Sequence, residues 1–114
     1  MNRPKRLGTS FEVAVVQFLR DHVFPLAERR TAEGSHDRGD IGGTPYVFEC
    51  KNLKTLDLAG GMKELDREIA NANAAQGFLI VKRRNKSVGD AYAVQSLRQL
   101  TAILKELEEL RAGR

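Results

Sequence analysis

The chain has 114 residues, 41% of them hydrophobic and 30% charged, with a formal charge of +4 and a pI of about 9.5. That length supports one modest core and not two, and the basic balance favours a polyanionic partner. Cys50 is the only cysteine, which excludes an intrachain disulfide and fits a reducing cytoplasm; no apolar run has transmembrane length and no signal-peptide core is present, so a cytoplasmic protein with no membrane partner is expected.

In chain order, residues 1–8 (MNRPKRLG) place Arg3, Lys5 and Arg6 around a proline and read as a flexible basic arm, either solvated or touching phosphate through Lys5 and Arg6. Thr9 or Ser10 then caps a helix running to about His22, with Phe11, Val15, Phe18 and Leu19 at helical spacing on its buried face. Thr9-Ser10-Phe11-Glu12 matches a capping box, in which the glutamate bonds back to the cap residue's amide. Pro25 ends the connection. Leu26 to Thr31 is expected to form a first strand, and Ala32 to His36 a turn. Arg29 or Arg30 from that strand leads toward the acidic turn that follows and is a candidate phosphate contact.

The next stretch, Asp37 to Lys51 (DRGDIGGTPYVFECK), carries most of the chemistry. Gly42, Gly43 and Pro45 mark a turn, and Tyr46 to Lys51 favours a strand. Alternation puts Val47, Glu49 and Lys51 on one face and Tyr46, Phe48 and Cys50 on the other. If the turn folds Asp40 back beside that strand end, two carboxylates and an ammonium converge. Two carboxylates about 4 Å apart repel by roughly 4 kcal/mol at an effective dielectric near 20, and a hard divalent cation relieves this. Mg²⁺ takes one or two carboxylates together with substrate phosphate oxygens, so Asp40 and Glu49 are candidate ligands and Lys51 a candidate for orienting water or neutralising phosphate charge. Ser35, His36, Asp37 and Arg38 crowd the same turn, and Asp37 is the rival to Asp40 as ligand.

Downstream, a helix is expected from Leu58 or Met62 to Ala75, with Met62, Leu65, Ile69 and Ala72 as its apolar stripe and Lys63, Glu64, Asp66, Arg67 and Glu68 toward water. Phe78 to Val81 is a continuous apolar run after Gly77, the pattern of a strand buried on both faces. It empties into Lys82, Arg83, Arg84, Asn85 and Lys86, the densest basic run in the chain and a candidate flank for the metal cluster. A short strand follows at Ala91 to Val94. Ser96 then caps a last helix whose Leu97, Leu100, Ile103, Leu104, Leu107 and Leu110 form a stripe that packs on the sheet or pairs with a second subunit.

Asp40 followed by Glu49-Cys50-Lys51 at the end of a strand resembles the signature of the PD-(D/E)xK nuclease superfamily, and within it most resembles archaeal and phage Holliday junction resolvases. Glu49-Cys50-Lys51 is the only E-x-K in the chain; Gly39 stands where the family often has proline. The resemblance implies a restriction-endonuclease-like α/β core, a central mixed sheet flanked by helices, spanning residues 9–114. It implies Mg²⁺ or Mn²⁺ held by Asp40, Glu49 and the Cys50 carbonyl, with Glu12 as a further ligand from the first helix. Lys51 completes the catalytic set, and Arg30, Ser35, Arg38, Lys82, Arg83, Arg84, Lys86, Lys5 and Arg6 are the nucleic-acid-binding candidates. The implied activity is hydrolysis of phosphodiester bonds in branched DNA, such as a four-way junction, by a homodimer in the cytoplasm, the host's if the chain is phage-encoded. Another nuclease of the superfamily, or a non-cleaving DNA-binding module of the same fold, is the alternative.

Overall fold

The computed structural model describes residues 3–31 and 36–113, with side chains from Thr9 onward. Helix α1 (Arg3–His22) leads into strands β1 (Glu28–Arg29) and β2 (Ile41–Gly42), strand β3 (Val47–Lys51), helix α2 (Leu58–Ala72), strands β4 (Gly77–Val81) and β5 (Tyr92–Val94), and helix α3 (Leu97–Ala112). The main sheet has the order β3-β4-β5, with β3 and β4 parallel and β5 antiparallel to β4. Parallel neighbours need a crossover, and α2 supplies it. The β1-β2 ribbon runs beside the free edge of β3, tied to it where the Asp40 amide donates to the Phe48 carbonyl at 2.8 Å. The protein is therefore α/β, with a three-stranded mixed sheet flanked by helices.

Alternation along β3 and β4 divides the core into two layers. Phe48 and Ile80 point toward α1 and pack with Phe11, Val15, Val16, Ala27 and Ile41. Val47, Leu79 and Val81 point the other way and pack with Leu65 of α2. Leu65 and Leu79 are wholly buried, each contributing about 1.5–3 kcal/mol of transfer free energy. Gly61 lets α2 approach closely, because a Cβ there would sit 3.1 Å from a Leu79 methyl.

Several expectations are corrected. Helix α1 begins at Arg3, so residues 3–8 are helical in backbone, Thr9 and Ser10 are interior, and the capping-box reading of Glu12 is overturned. Pro4 falls in the first turn, where a missing N–H costs no intrahelical bond. The first strand is confined to Glu28–Arg29. Helix α2 ends at Ala72 rather than Ala75, because Asn73 adopts a left-handed φ of 52° and closes it. In α3 the expected cap is present, since the Ser96 hydroxyl accepts from the Gln99 amide, but no residue of the helix is buried.

Candidate metal centre

Asp40 is fixed to β3 at two points, through its own amide on Phe48 and through Oδ2, which accepts the Cys50 amide at 2.7 Å. The chain reaches this position through Gly39, whose φ is +96° and where a Cβ would come within 2.9 Å of Val47 Cγ1. Proline, with φ locked near −65°, cannot adopt that conformation, which explains why glycine stands in the position the resemblance would give to proline. Asp37 shapes the same turn: its Oδ1 accepts the Gly39 amide at 2.8 Å, and its carbonyl accepts from Asn71 of α2.

On the α2 side of the sheet, Glu49 and Lys51 project together, as alternation requires. Two glutamates from α2 meet them, four residues apart and so on one helix face. Carboxylate oxygens of Asp37, Glu49, Glu64 and Glu68 lie within 4.8 Å of one another. Lys51 Nζ pairs with Glu64 Oε1 at 2.7 Å and Glu49 Oε2 at 3.2 Å. Glu68 is only 1% exposed, and neither of its oxygens, nor Glu49 Oε1, has a hydrogen-bond donor. The carboxylates of Glu49 and Glu68 face each other, so only a shared proton or a cation satisfies them. Hard oxygen donors in this number and spacing can hold a metal ion.

The charges respond accordingly. Burial pushes Glu68 up to about 10, with the facing Glu49 carboxylate adding to it. Glu49 is pushed up to about 7 by burial and by Asp40, and Asp40 to about 6 by burial, then by Glu12 and Asp37, against the lowering effect of the Cys50 amide. For Lys51, burial alone lowers the pKa, but Glu64 and Glu49 outweigh it and the ammonium is held above its usual value. Proton acceptance by Lys51 near neutral pH is thereby disfavoured, leaving it a fixed positive charge.

Of the expected site residues, Glu49 and Lys51 meet in this cluster. Asp40 adjoins it, acting on Glu49 through its charge and feeling the charge of Asp37. Asp37, the rival ligand, is a member. Glu12 stands apart from the four-carboxylate group, its Oε1 paired with Arg29 at 3.1 Å, although its charge is felt at Asp40. Cys50 packs its thiol against the α1-side core, and burial pushes the thiol's pKa well up. Glu64 and Glu68, expected to face water, were missed as site residues. One signal was available: Glu68 falls beside Gly61, Leu65 and Ala72 on the helical face that carries the apolar stripe, an unusual place for a charge.

The basic candidates divide. Lys82, Arg83, Arg84 and Lys86 line a cleft of about 780 Å³ with Asn52, Lys54 and Tyr92. It opens beside the exit of β3, because the Lys82 amide donates to the Lys51 carbonyl at 3.0 Å. Arg83 stacks 4.8 Å over the Tyr92 ring. Arg30 instead donates to the Arg38 carbonyl at 2.6 Å, bracing the acidic turn; Arg38 is exposed. Ser35 lies outside the described residues, as do the side chains of Lys5 and Arg6.

Fold and site together define an α/β protein with a buried carboxylate cluster able to hold a metal ion, set beside a basic cleft. Comparison of the chain with family models, curated proteins and solved structures finds no match. Among the described residues, no helix is long and apolar enough to cross a membrane.

Proposed function

We propose that the chain is a Mg²⁺- or Mn²⁺-dependent DNA endonuclease of the PD-(D/E)xK kind, acting on branched DNA as a homodimer in the manner of a junction resolvase. The observation that carries this reading is the pair of buried carboxylates, Glu49 and Glu68: Glu49 Oε1 and both Glu68 oxygens lack donors, while the Lys51 ammonium lies against Glu49 Oε2. Glu49 and Glu68, with Asp37 and Glu64, would hold the ion, and Asp40 adds negative potential beside them. A divalent ion bound there supplies charge neutralisation at a phosphate and acidifies water. The chain's own residues do the rest. Lys51, kept charged, donates hydrogen bonds to a non-bridging phosphate oxygen as water adds to phosphorus and a phosphodiester P–O bond breaks. Glu64, besides its place among the ligands, holds the Lys51 ammonium through its 2.7 Å contact. The cleft formed by Lys54 and the Lys82 to Lys86 run takes flanking phosphates, with a spread of basic residues that suits backbone rather than base-edge recognition. The mixed sheet flanked by helices supports the reading of a restriction-endonuclease-like core.

The test is cleavage of labelled four-way junction, duplex and single-stranded DNA. Cutting of the junction in Mg²⁺ or Mn²⁺, with binding but no cutting in Ca²⁺, is expected. Absence of cleavage on all three DNAs, together with Mn²⁺ binding unaffected by Glu49→Gln and Glu68→Gln, would overturn the reading.

A further inference from the structure

Helix α3 leaves the body of the protein after its second turn, where Ile103 is its last half-buried residue. It is anchored where the Gly77 amide donates to Gln99 Oε1 at 3.1 Å and where Gln95 Nε2 bridges Gln99 Oε1, the Gly77 carbonyl and Gln76 Oε1. Beyond that anchor the helix projects, consistent with extents of 54 × 30 × 26 Å for so short a chain. Its Leu97, Leu100, Leu104, Leu107 and Leu110 are between 39% and 74% exposed. An apolar ridge of this length is rare on the surface of a monomer. Leu97, Leu100, Leu104 and Leu107 alternate three and four residues apart, the 3.5-residue period of a two-helix seam rather than a stripe on a sheet. Ile103, on the flank that continues to Leu110, lines the mouth of an apolar groove of about 390 Å³ between α1 and the sheet, with Phe18, Phe24, Phe48 and Phe78.

We infer that α3 is the docking surface for a second copy of this chain, the two α3 helices lying antiparallel with Leu97 against Leu107 and Leu100 against Leu104 of the second copy. The seam is self-complementary in this direction, because each leucine meets a leucine and each layer recurs by the two-fold. Charge selects the direction. Arg111 occupies the next seam position after Leu107; a parallel pair would press the two Arg111 side chains together, whereas an antiparallel pair sends them to opposite ends. Helix dipoles oppose a parallel pair as well. The antiparallel arrangement also brings the projecting end of each helix, with Leu110, alongside the neighbour's anchored end. This surface follows from α3 alone and does not rest on the nuclease reading.

Light scattering on the intact protein is expected to give twice the 12.7 kDa chain mass, and Leu100→Glu with Leu104→Glu the single mass. Direction is read by oxidative cross-linking. Positions 97 and 107 are about 15 Å apart along one helix, too far for an internal disulfide. The double variant Leu97→Cys/Leu107→Cys is expected to form a covalent dimer, and either single variant to remain uncrosslinked like the wild type with Cys50. A monomeric mass for the wild type at high concentration would overturn the inference, as would a covalent dimer from Leu97→Cys alone or none from the double variant. These readouts are independent of cleavage.

Discussion

Replacing Glu68 with glutamine gives a quantitative test of the carboxylate cluster. The carboxyl of Glu68 is 1% exposed and pushed up to about 10, against an ordinary value of 4.5. A folded pKa above the unfolded one stabilises fully below about pH 4.5 and loses that contribution as pH rises toward 10. At 1.36 kcal/mol per unit, keeping Glu68 protonated at pH 7 costs on the order of 3 kcal/mol in the metal-free protein. Glutamine is neutral at every pH, and its amide can donate to the orphaned Glu49 Oε1. In EDTA, Glu68→Gln should therefore melt near the wild type at pH 4.5 and progressively above it as pH rises, by roughly 10 °C or more at pH 7 on the usual conversion for a domain of this size. Adding Mn²⁺ should shrink or reverse the gap, because binding stabilises the folded wild type. Melting curves followed by circular dichroism at several pH values measure it. A gap that is the same at pH 4.5 and pH 8, or absent throughout, would refute the argument that Glu68 is a strained acid awaiting a cation.

Glu49→Ala is expected to abolish cleavage, and Asp40→Ala, which removes charge beside the ion rather than a ligand, to lower it, both with DNA affinity largely kept, as read by a gel assay beside a fluorescence-anisotropy titration; near wild-type cutting by either variant removes that residue from the site. Alanine at Lys82, Arg83 and Arg84 should weaken binding to all sequences and lower the slope of log affinity against log salt by roughly 0.9 for each phosphate the variant no longer neutralises. Gly39→Ala should cost about 1–3 kcal/mol, since alanine is strained at φ +96° and its Cβ meets Val47; an unchanged denaturation midpoint would show that the turn relaxes. Glu12→Gln breaks only a partly exposed ion pair with Arg29, so a stability loss below about 1 kcal/mol is expected from thermal melts.

The sequence by itself determined what local periodicity and chemistry can specify. Alternation in Val47 to Lys51 put Glu49 and Lys51 on one face and Phe48 and Cys50 on the other, and the structure keeps that division. The Gly77 boundary set β4, and Ser96 set the start of α3. Where local signals competed, they misled: the capping box at Thr9 is only a preference, and the helix propagates through it back to Pro4, a residue the first turn tolerates. Tertiary structure decided the rest, because it depends on which surfaces meet. Glu64 and Glu68 read as water-facing charges until α2, crossing from β3 to β4, turns them onto Glu49 and Lys51. Asp37 joins them only through the Gly39 turn and the Asn71 tether. The leucines of α3 have the 3.5-residue pattern of a helix–helix seam, yet only the path of the chain shows that its own sheet leaves them exposed.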